Sequence, residues 1–380
     1  MGPLAGLKVI EMQGLGPAPF CGMMLGDMGA DVVRIDRPVS AHTPLMDERK
    51  DVMQRNKRSL VLDLKNPAGV ELLLELVAKS DVLIEGFRPG VMERLGMGPE
   101  ACLKRNPKLV FGRMTGFGQT GPYAKAAGHD INYAALSGAL GQIGPSARPV
   151  IPLNLVADFG GGGMYLAFGV VAAVFHALKT GEGQVVDATM VDGAASLTSI
   201  FYGLRASGLW TDKREDNFLD GGAGHYNVYE TKDGQWISIG ALEPQFYREL
   251  LQRLGLENEK DLHDYENKAT WKRTGERFTE VFKTKTRDEW DALLASTDVC
   301  YAPILNFGDA HLHPHNVARE TFATRDGVLQ PSPAPRFSKT PGALQRLPPR
   351  IGEQTREVLE EYGFDAAAVE KLAAVKAIKL

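Results

Sequence analysis

The chain has 380 residues, 44% of them hydrophobic and 24% charged, with a formal net charge of −4. That is enough chain for two domains and the composition of a soluble globular protein. The acidic excess argues against a general binder of nucleic acid or of anionic membranes, so an anionic ligand needs a local basic cluster. Cys21, Cys102 and Cys300 lie far apart with no CxxC spacing, which supplies neither a disulfide framework nor a zinc site and fits a reducing compartment. The opening "MGPLAGLKVIEM" lacks the charged and then apolar regions of a secretory signal.

In chain order, "LKVIEM", "DVVRID", "RSLVLDL", "DVLIEGF" and "KLVFGRM" read as strands. Among them "PFCGMMLGDMG" reads as a helix, and "PAGVELLLELVAKS" as a second one, capped by Asn66 with Pro67 at its first position. Strands joined by crossover helices predict an α/β, Rossmann-like fold around a parallel sheet covered on both faces. Residues 160–178 carry no formal charge and approach the length of a membrane span, but they open on four glycines and hold His176 near their end. They read as a core helix. "KTGEG" closes that helix, "QVVDATM" is a further strand, and "YNVYET", the turn "KDG" and "QWISIG" predict a β-hairpin that opens a smaller α+β domain. The expected organisation is a large domain over 1–200 completed by 330–380, a connector over 201–224, a small domain over 225–325 and a Pro-rich connector over 326–350.

Candidate chemistry lies at a few places. Gly14 to Pro19, "GLGPAP", follows the first strand as a dinucleotide fingerprint does, but the third glycine is absent and Pro17 and Pro19 remove N–H donors. A tight turn is favoured over a dehydrogenase. His311, His313 and His315 alternate beside Pro314 without carboxylate or cysteine partners, which favours a solvated loop and no metal. Arg34, Arg37, Arg55, Lys57, Arg58, Lys65, Arg88 and Arg94 cluster near strand ends; together they favour a phosphate-bearing ligand over the carboxyl edge of the sheet. His129 lies among small residues, where an imidazole is reachable, and Glu243 precedes Pro244, placed to cap a helix or to face a cleft. Asp158 stands before four glycines. Capping explains an Asp at a helix start but not glycines behind it, each of which costs about 1 kcal/mol of helix stability relative to alanine. The expectation is an acid/base group with room for a ligand to approach.

"GPAPFCGMMLGDMGADVVRIDRP", "KRSLVLDLK", "FRPGVMERLG", "TGFGQTGPYAKAAGHDINY", "PLNLVADFGGGG", "GQVVDATMVDG", "LDGGA" and "GALEPQFY" together resemble the family III CoA-transferase superfamily, over nearly the whole chain and in order. "GHDINY" resembles its 2-methylacyl-CoA racemase branch; the transferase branch generally has an aromatic residue where His129 stands. The resemblance implies an interlocked homodimer of two-domain subunits whose connectors thread through one another. It implies an isomerase that moves the α-proton of a 2-methylacyl-CoA from one face to the other. His129 paired with Glu243 would be one acid/base and Asp158 the other. Arg37, the segment Val61, Leu62, Asp63, Leu64 and Lys65, and Arg94 would hold the CoA, with Gly128, His129, Asp130, Ile131, Asn132 and Tyr133 lining the site. No separate cofactor is expected, since CoA belongs to the substrate.

A thioester α-proton is weakly acidic, so inversion needs one basic and one protonated group on opposite faces and a stabilised enolate oxygen. Glycine N–H groups and the helix dipole beside Asp158 are the expected stabilisers. The rival is a CoA-transferase using Asp158 as a nucleophile; a dehydrogenase and a non-catalytic acyl-CoA binder are weaker readings. Gly224 and His225 stand where close racemase relatives usually have Pro and an aromatic residue, and Gln354 where the superfamily commonly has His. The C-terminal "IKL" only approximates a peroxisomal tripeptide, which favours a bacterial cytoplasmic enzyme over a peroxisomal or mitochondrial one. The expected partners are an acyl-CoA and a second copy of the chain, without nucleic acid or membrane.

Overall fold

Six strands, β1 Lys8–Met12, β2 Asp31–Asp36, β3 Lys57–Val61, β4 Val82–Glu85, β5 Val110–Thr115 and β6 Gln184–Thr189, form a sheet in the order β3-β2-β1-β4-β5-β6. Every pairing is parallel. The computed structural model describes residues 2–38 and 46–380. β1 to β5 are buried almost throughout because helices cover both faces, whereas β6 is the edge and exposes Gln184 and Val185. The order reverses between β1 and β4, so the loops that leave these strands diverge and open a crevice at the carboxyl edge. The loop after β1, Arg37 after β2 and Phe87 after β4 all lie at that edge.

The chain divides into two compact units, one of residues 2–137, 153–197 and 320–380, the other of 138–152 and 198–319. Residues 138–152, expected with the large domain, thus group with the second unit. In the first unit the sheet is flanked by α1 Pro17–Asp27, α2 Pro67–Ala78, α3 Val91–Arg94, α4 Pro99–Arg105 and α5 Asp130–Leu136. Asn66 caps α2 by accepting the Ala68 N–H at 3.0 Å. The C-terminal segment returns to the outer strand: Thr355 Oγ1 accepts the Val61 N–H at 3.2 Å, and Leu62 bridges to Ile378. The Pro-rich stretch has few donors of its own, and side chains tie it down instead. Asn56 Oδ1 accepts the N–H groups of Gln345 and Arg346 at 2.7 and 2.9 Å, and Arg55 donates to the Pro331 carbonyl at 2.8 Å.

The glycine stretch departs from expectation in two ways. Leu155–Met164 winds as a π-helix that runs on into the helix Tyr165–Thr180, and Asp158 lies in its first turn with Asn154 at the cap. Gly161, Gly162 and Gly163 make room for neighbouring segments of the protein itself. A methyl group on Gly161 would fall 2.4 Å from the amide of Ala194, and one on Gly163 2.8 Å from the carbonyl of Pro17. The wide winding and the absent side chains together let this segment seat on α1 and on the helix Met190–Leu197. The helix beyond it buries Leu166, Val170 and Ala173 against the sheet but leaves Phe168, Val171, Phe175 and Leu178 exposed, in line with Met164 at the end of the π-helix, so only one face is core.

In the second unit β7 Tyr226–Glu230, β8 Trp236–Gly240 and β9 Tyr301–Pro303 form an antiparallel sheet in that order. It packs with the helices Pro244–Leu254, Lys268–Phe282 and Arg287–Leu294 around Tyr229, Ile237, Tyr247, Phe278 and Trp290. His225 sits edge-on among Tyr265, Tyr247 and Trp271, with centroids 4.9, 5.8 and 6.3 Å away, and its Nδ1 is buried without a hydrogen-bond partner among the described residues.

Burial pushes the His225 imidazole down to a pKa of about 4, against roughly 6.5 in an unfolded chain. Between those two values the unfolded state takes up a proton that the folded state refuses, so stability present above pH 6.5 is lost as the pH falls, by about 3 kcal/mol in all. Urea unfolding of wild type and His225→Phe from pH 7 to pH 4 should show the difference between them growing by about that amount in favour of the variant. A difference independent of pH would mean that His225 is not buried neutral.

Candidate active site

α5 is held by its own first turn. The Tyr133 ring wedges between two glycines, where methyl groups on Gly116 and Gly128 would fall 2.1 and 2.7 Å from it. Its hydroxyl donates to the Gly128 carbonyl, and Phe117 packs edge-on at 4.9 Å. Asn132 Oδ1 accepts the His129 N–H at 3.0 Å. The backbone of His129 is therefore fixed while its side chain is exposed, as an acid/base group requires.

Asp130, next along, joins α5 to the glycine segment. It is 5% exposed, and its Oδ1 accepts the N–H groups of Ala157 at 2.9 Å and Asp158 at 2.7 Å. Its Oδ2 is buried with no hydrogen-bond partner among the described residues. Sequence reasoning placed Asp130 in the site but missed this clamp, because residues 28 positions apart meet only through tertiary packing. Asp158 is half-buried; its Oδ2 accepts from Asn154 Nδ2 at 3.4 Å, and a methyl group on Gly16 would lie 3.4 Å from the same oxygen. Gly16, with φ of 71°, turns the loop after β1 beside the carboxylate. Gly16 lies in the "GLGPAP" stretch read as a tight turn, whereas Asn154 was not singled out, although an Asn four residues before Asp158 is a detectable signal.

Burial raises the Asp158 pKa, the Asn154 hydrogen bond opposes this, the Asp130 charge raises it further and His129 lowers it. Asp158 and His129 are thus near enough to sense each other electrostatically. The expected enolate donors do not survive: Gly160 to Gly163 lie beyond the first turn, and the N–H groups of Ala157 and Asp158 are occupied by Asp130.

The basic cluster separates into two sets. Arg34 pairs with Asp36, Arg55 with Asp27, Lys57 with Glu11, and Arg58 with Asp31, Glu357 and Glu361, all four cations being buried. These are internal, because a buried charge needs a partner. Arg37, Lys65, Arg88 and Arg94 are exposed. Arg37 lies over the Phe87 ring at 5.7 Å from its centroid. The side chains of Val61 and Leu62 are core, Leu64 packs partly buried against it, Asp63 is part-buried with its N–H donating to the Ala377 carbonyl at 2.9 Å, and Lys65 is exposed. Of the other proposed lining residues, Ile131 and Asn132 are exposed. In the second unit Glu243 is exposed at the head of the helix Pro244–Leu254 and its side chain does not cap it. His313 Nδ1 accepts the His315 N–H at 3.3 Å, a local turn contact.

Residues 4–355 match the family model of the CoA-transferase family III. The chain belongs to this family. It is 47% identical to the alpha-methylacyl-CoA racemase of Mus musculus over 97% of the chain and 96% of that protein. It is 45% identical to the alpha-methylacyl-CoA racemase of Homo sapiens over 99% and 97%. A CaiB/BaiF family protein from Brucella suis superposes with a TM-score of 0.81 at 26% identity, over 95% of this chain and 99% of that one. For this family III chain, the first unit holds a half-buried carboxyl group whose pKa burial raises, at the carboxyl edge of a parallel sheet, and an exposed imidazole that acts on it electrostatically.

Asp130→Asn keeps an oxygen to accept the two N–H groups and removes the charge. A carboxyl 13C titration should then place Asp158 at a lower pKa than in wild type, and an unchanged titration would remove Asp130 from its electrostatics. Asp130→Ala leaves two buried donors without an acceptor and should cost about 1–3 kcal/mol in urea unfolding.

Proposed function

We propose that the protein interconverts the two epimers of a 2-methylacyl-CoA thioester by 1,1-proton transfer, with Asp158 and His129 as its acid/base pair. The observation that carries this is the Asp130 clamp, which ties the backbone of Asp158 to the residue next to His129. One group removes the α-proton while the other, already protonated, returns one to the opposite face. The first-turn N–H groups of Asp130 and Ile131 in α5 are the donors on hand for the developing enolate oxygen. Arg37 and Arg94 are exposed cations for the phosphates of the CoA moiety. The exposed imidazole of His129 supplies the second acid/base group that a racemase needs and a CoA-transferase acting through an Asp158 nucleophile does not.

One epimer of a 2-methylacyl-CoA in heavy water should lose its optical purity and gain deuterium at the α-carbon. Asp158→Asn or His129→Ala should lower racemisation about a hundredfold to ten-thousandfold, while each keeps some exchange, with retention, on the epimer facing its surviving base. Acyl exchange onto free carboxylates, with hydroxylamine trapping at Asp158, would instead establish the transferase.

We further propose that two copies associate, as the family resemblance implies, through the outer face of the helix Tyr165–Thr180. Met164, Phe168, Val171, Phe175 and Leu178 follow one another at alternating four- and three-residue steps, the seam of a helix that packs on another. Phe168 is 76% and Leu178 81% exposed in the single chain, which an isolated soluble protein rarely tolerates in one stripe. Sedimentation should give a dimer for wild type and a smaller or aggregating species for Phe168→Glu combined with Leu178→Glu; an unchanged dimer would place the interface elsewhere.

A further inference from the structure

The segment between β4 and α4 carries Phe87, Arg88 and Arg94, and none of these has a sheet ladder to hold it in place. Met92 and Met97 seat it in the hydrophobic core, with Phe87 and Leu95 packed beside them, and one charged side chain reaches across it. Arg113, on β5, is 6% exposed. Its Nε donates to Glu85 Oε1 at 2.8 Å, and its Nη1 and Nη2 donate to the two oxygens of Glu93 at 2.8 and 3.3 Å. Glu85, fully buried at the end of β4, accepts the Phe87 N–H at 2.6 Å with its other oxygen. Phe87 in turn is the platform under Arg37, and Glu93 immediately precedes Arg94 in α3.

We propose that Arg113 is a positioning residue for the coenzyme A portion of the substrate, setting the two exposed arginines through Glu85–Phe87 and through Glu93. Two carboxylates against one cation is a poor arrangement for stability alone, since well-packed apolar side chains replace buried ion pairs at little or no cost. What a guanidinium adds is a rigid fork that fixes two partners at defined angles at once. Glu93 is itself held as a carboxylate by that hydrogen bond, its pKa lowered. The inference rests on the reading of Arg37 and Arg94 as phosphate contacts, and goes beyond it by naming the group on which both depend.

Glu93→Ala is the mildest test, because Glu93 is about half exposed and its loss leaves Arg113 paired with Glu85. Arg113→Lys keeps the charge but not the fork. Both are assayed with a 2-methylacyl-CoA and with the matching pantetheine thioester, which lacks the nucleotide and its phosphates. The expected result is a KM for the CoA ester raised about three- to tenfold in Glu93→Ala and more in Arg113→Lys, kcat within about twofold, and unchanged kcat/KM on the pantetheine ester. A general structural defect would lower both substrates alike, and that outcome, or an unmoved KM in Glu93→Ala, overturns the proposal. Arg37→Ala and Arg94→Ala serve as controls: if neither raises the KM for the CoA ester, the phosphate reading falls and this inference with it, whereas a rise there without one in Glu93→Ala overturns the inference alone.

Discussion

Two backbones meet in this protein where two side chains would normally stand. A methyl group on Gly193 would fall 1.8 Å from the Gly161 carbonyl oxygen, so the π-helical segment and the helix after β6 can reach this separation only as glycine against glycine. The consequence extends to Asp158, three residues before Gly161. It is carried to the loop after β1, beside Gly16, and within reach of α5. Helix–helix contacts ordinarily keep axes 8–10 Å apart through their side chains; removing those side chains is what brings an acid to the crevice at the sheet edge.

The same crevice explains the division of labour among charges. Pairs such as Lys57 with Glu11 and Arg55 with Asp27 lie within the first unit, fully paired and shielded. The cations left unburied follow the carboxyl ends of β2 and β4 or the turn after β3. In a parallel sheet with a switch point, those ends diverge, and it is there that a ligand finds backbone and side chains not committed to the core. Asp158 and the exposed arginines therefore share one edge of the sheet while lying on different segments.

Several elements were legible from residue patterns alone. The six β-rich runs, the Asn66 cap and the hairpin of β7 and β8 follow from local hydrophobic pattern and turn chemistry, which act within a few residues. Asp158 stood out because capping does not explain an acid ahead of four glycines, whereas His129 drew attention mainly through the family motif that contains it.

What the residue pattern could not convey is which charge is internal and which neighbour a glycine accommodates. Arg55 and Arg37 look alike in the sequence; one is clamped by Asp27 and the other lies open over Phe87. The glycines suggested space for a ligand, and the fold uses Gly161, Gly162 and Gly163 for α1 and the helix Met190–Leu197. The sequence by itself determined the class of fold and the strands, because those depend on local periodicity and on turn chemistry. Only the tertiary structure decided that Asp130 clamps Asp158, that Arg113 braces the arginine loop, and that His225 is buried with an idle nitrogen. Each of these is a contact between residues distant in the chain, and its energy exists only once the core has excluded water around it.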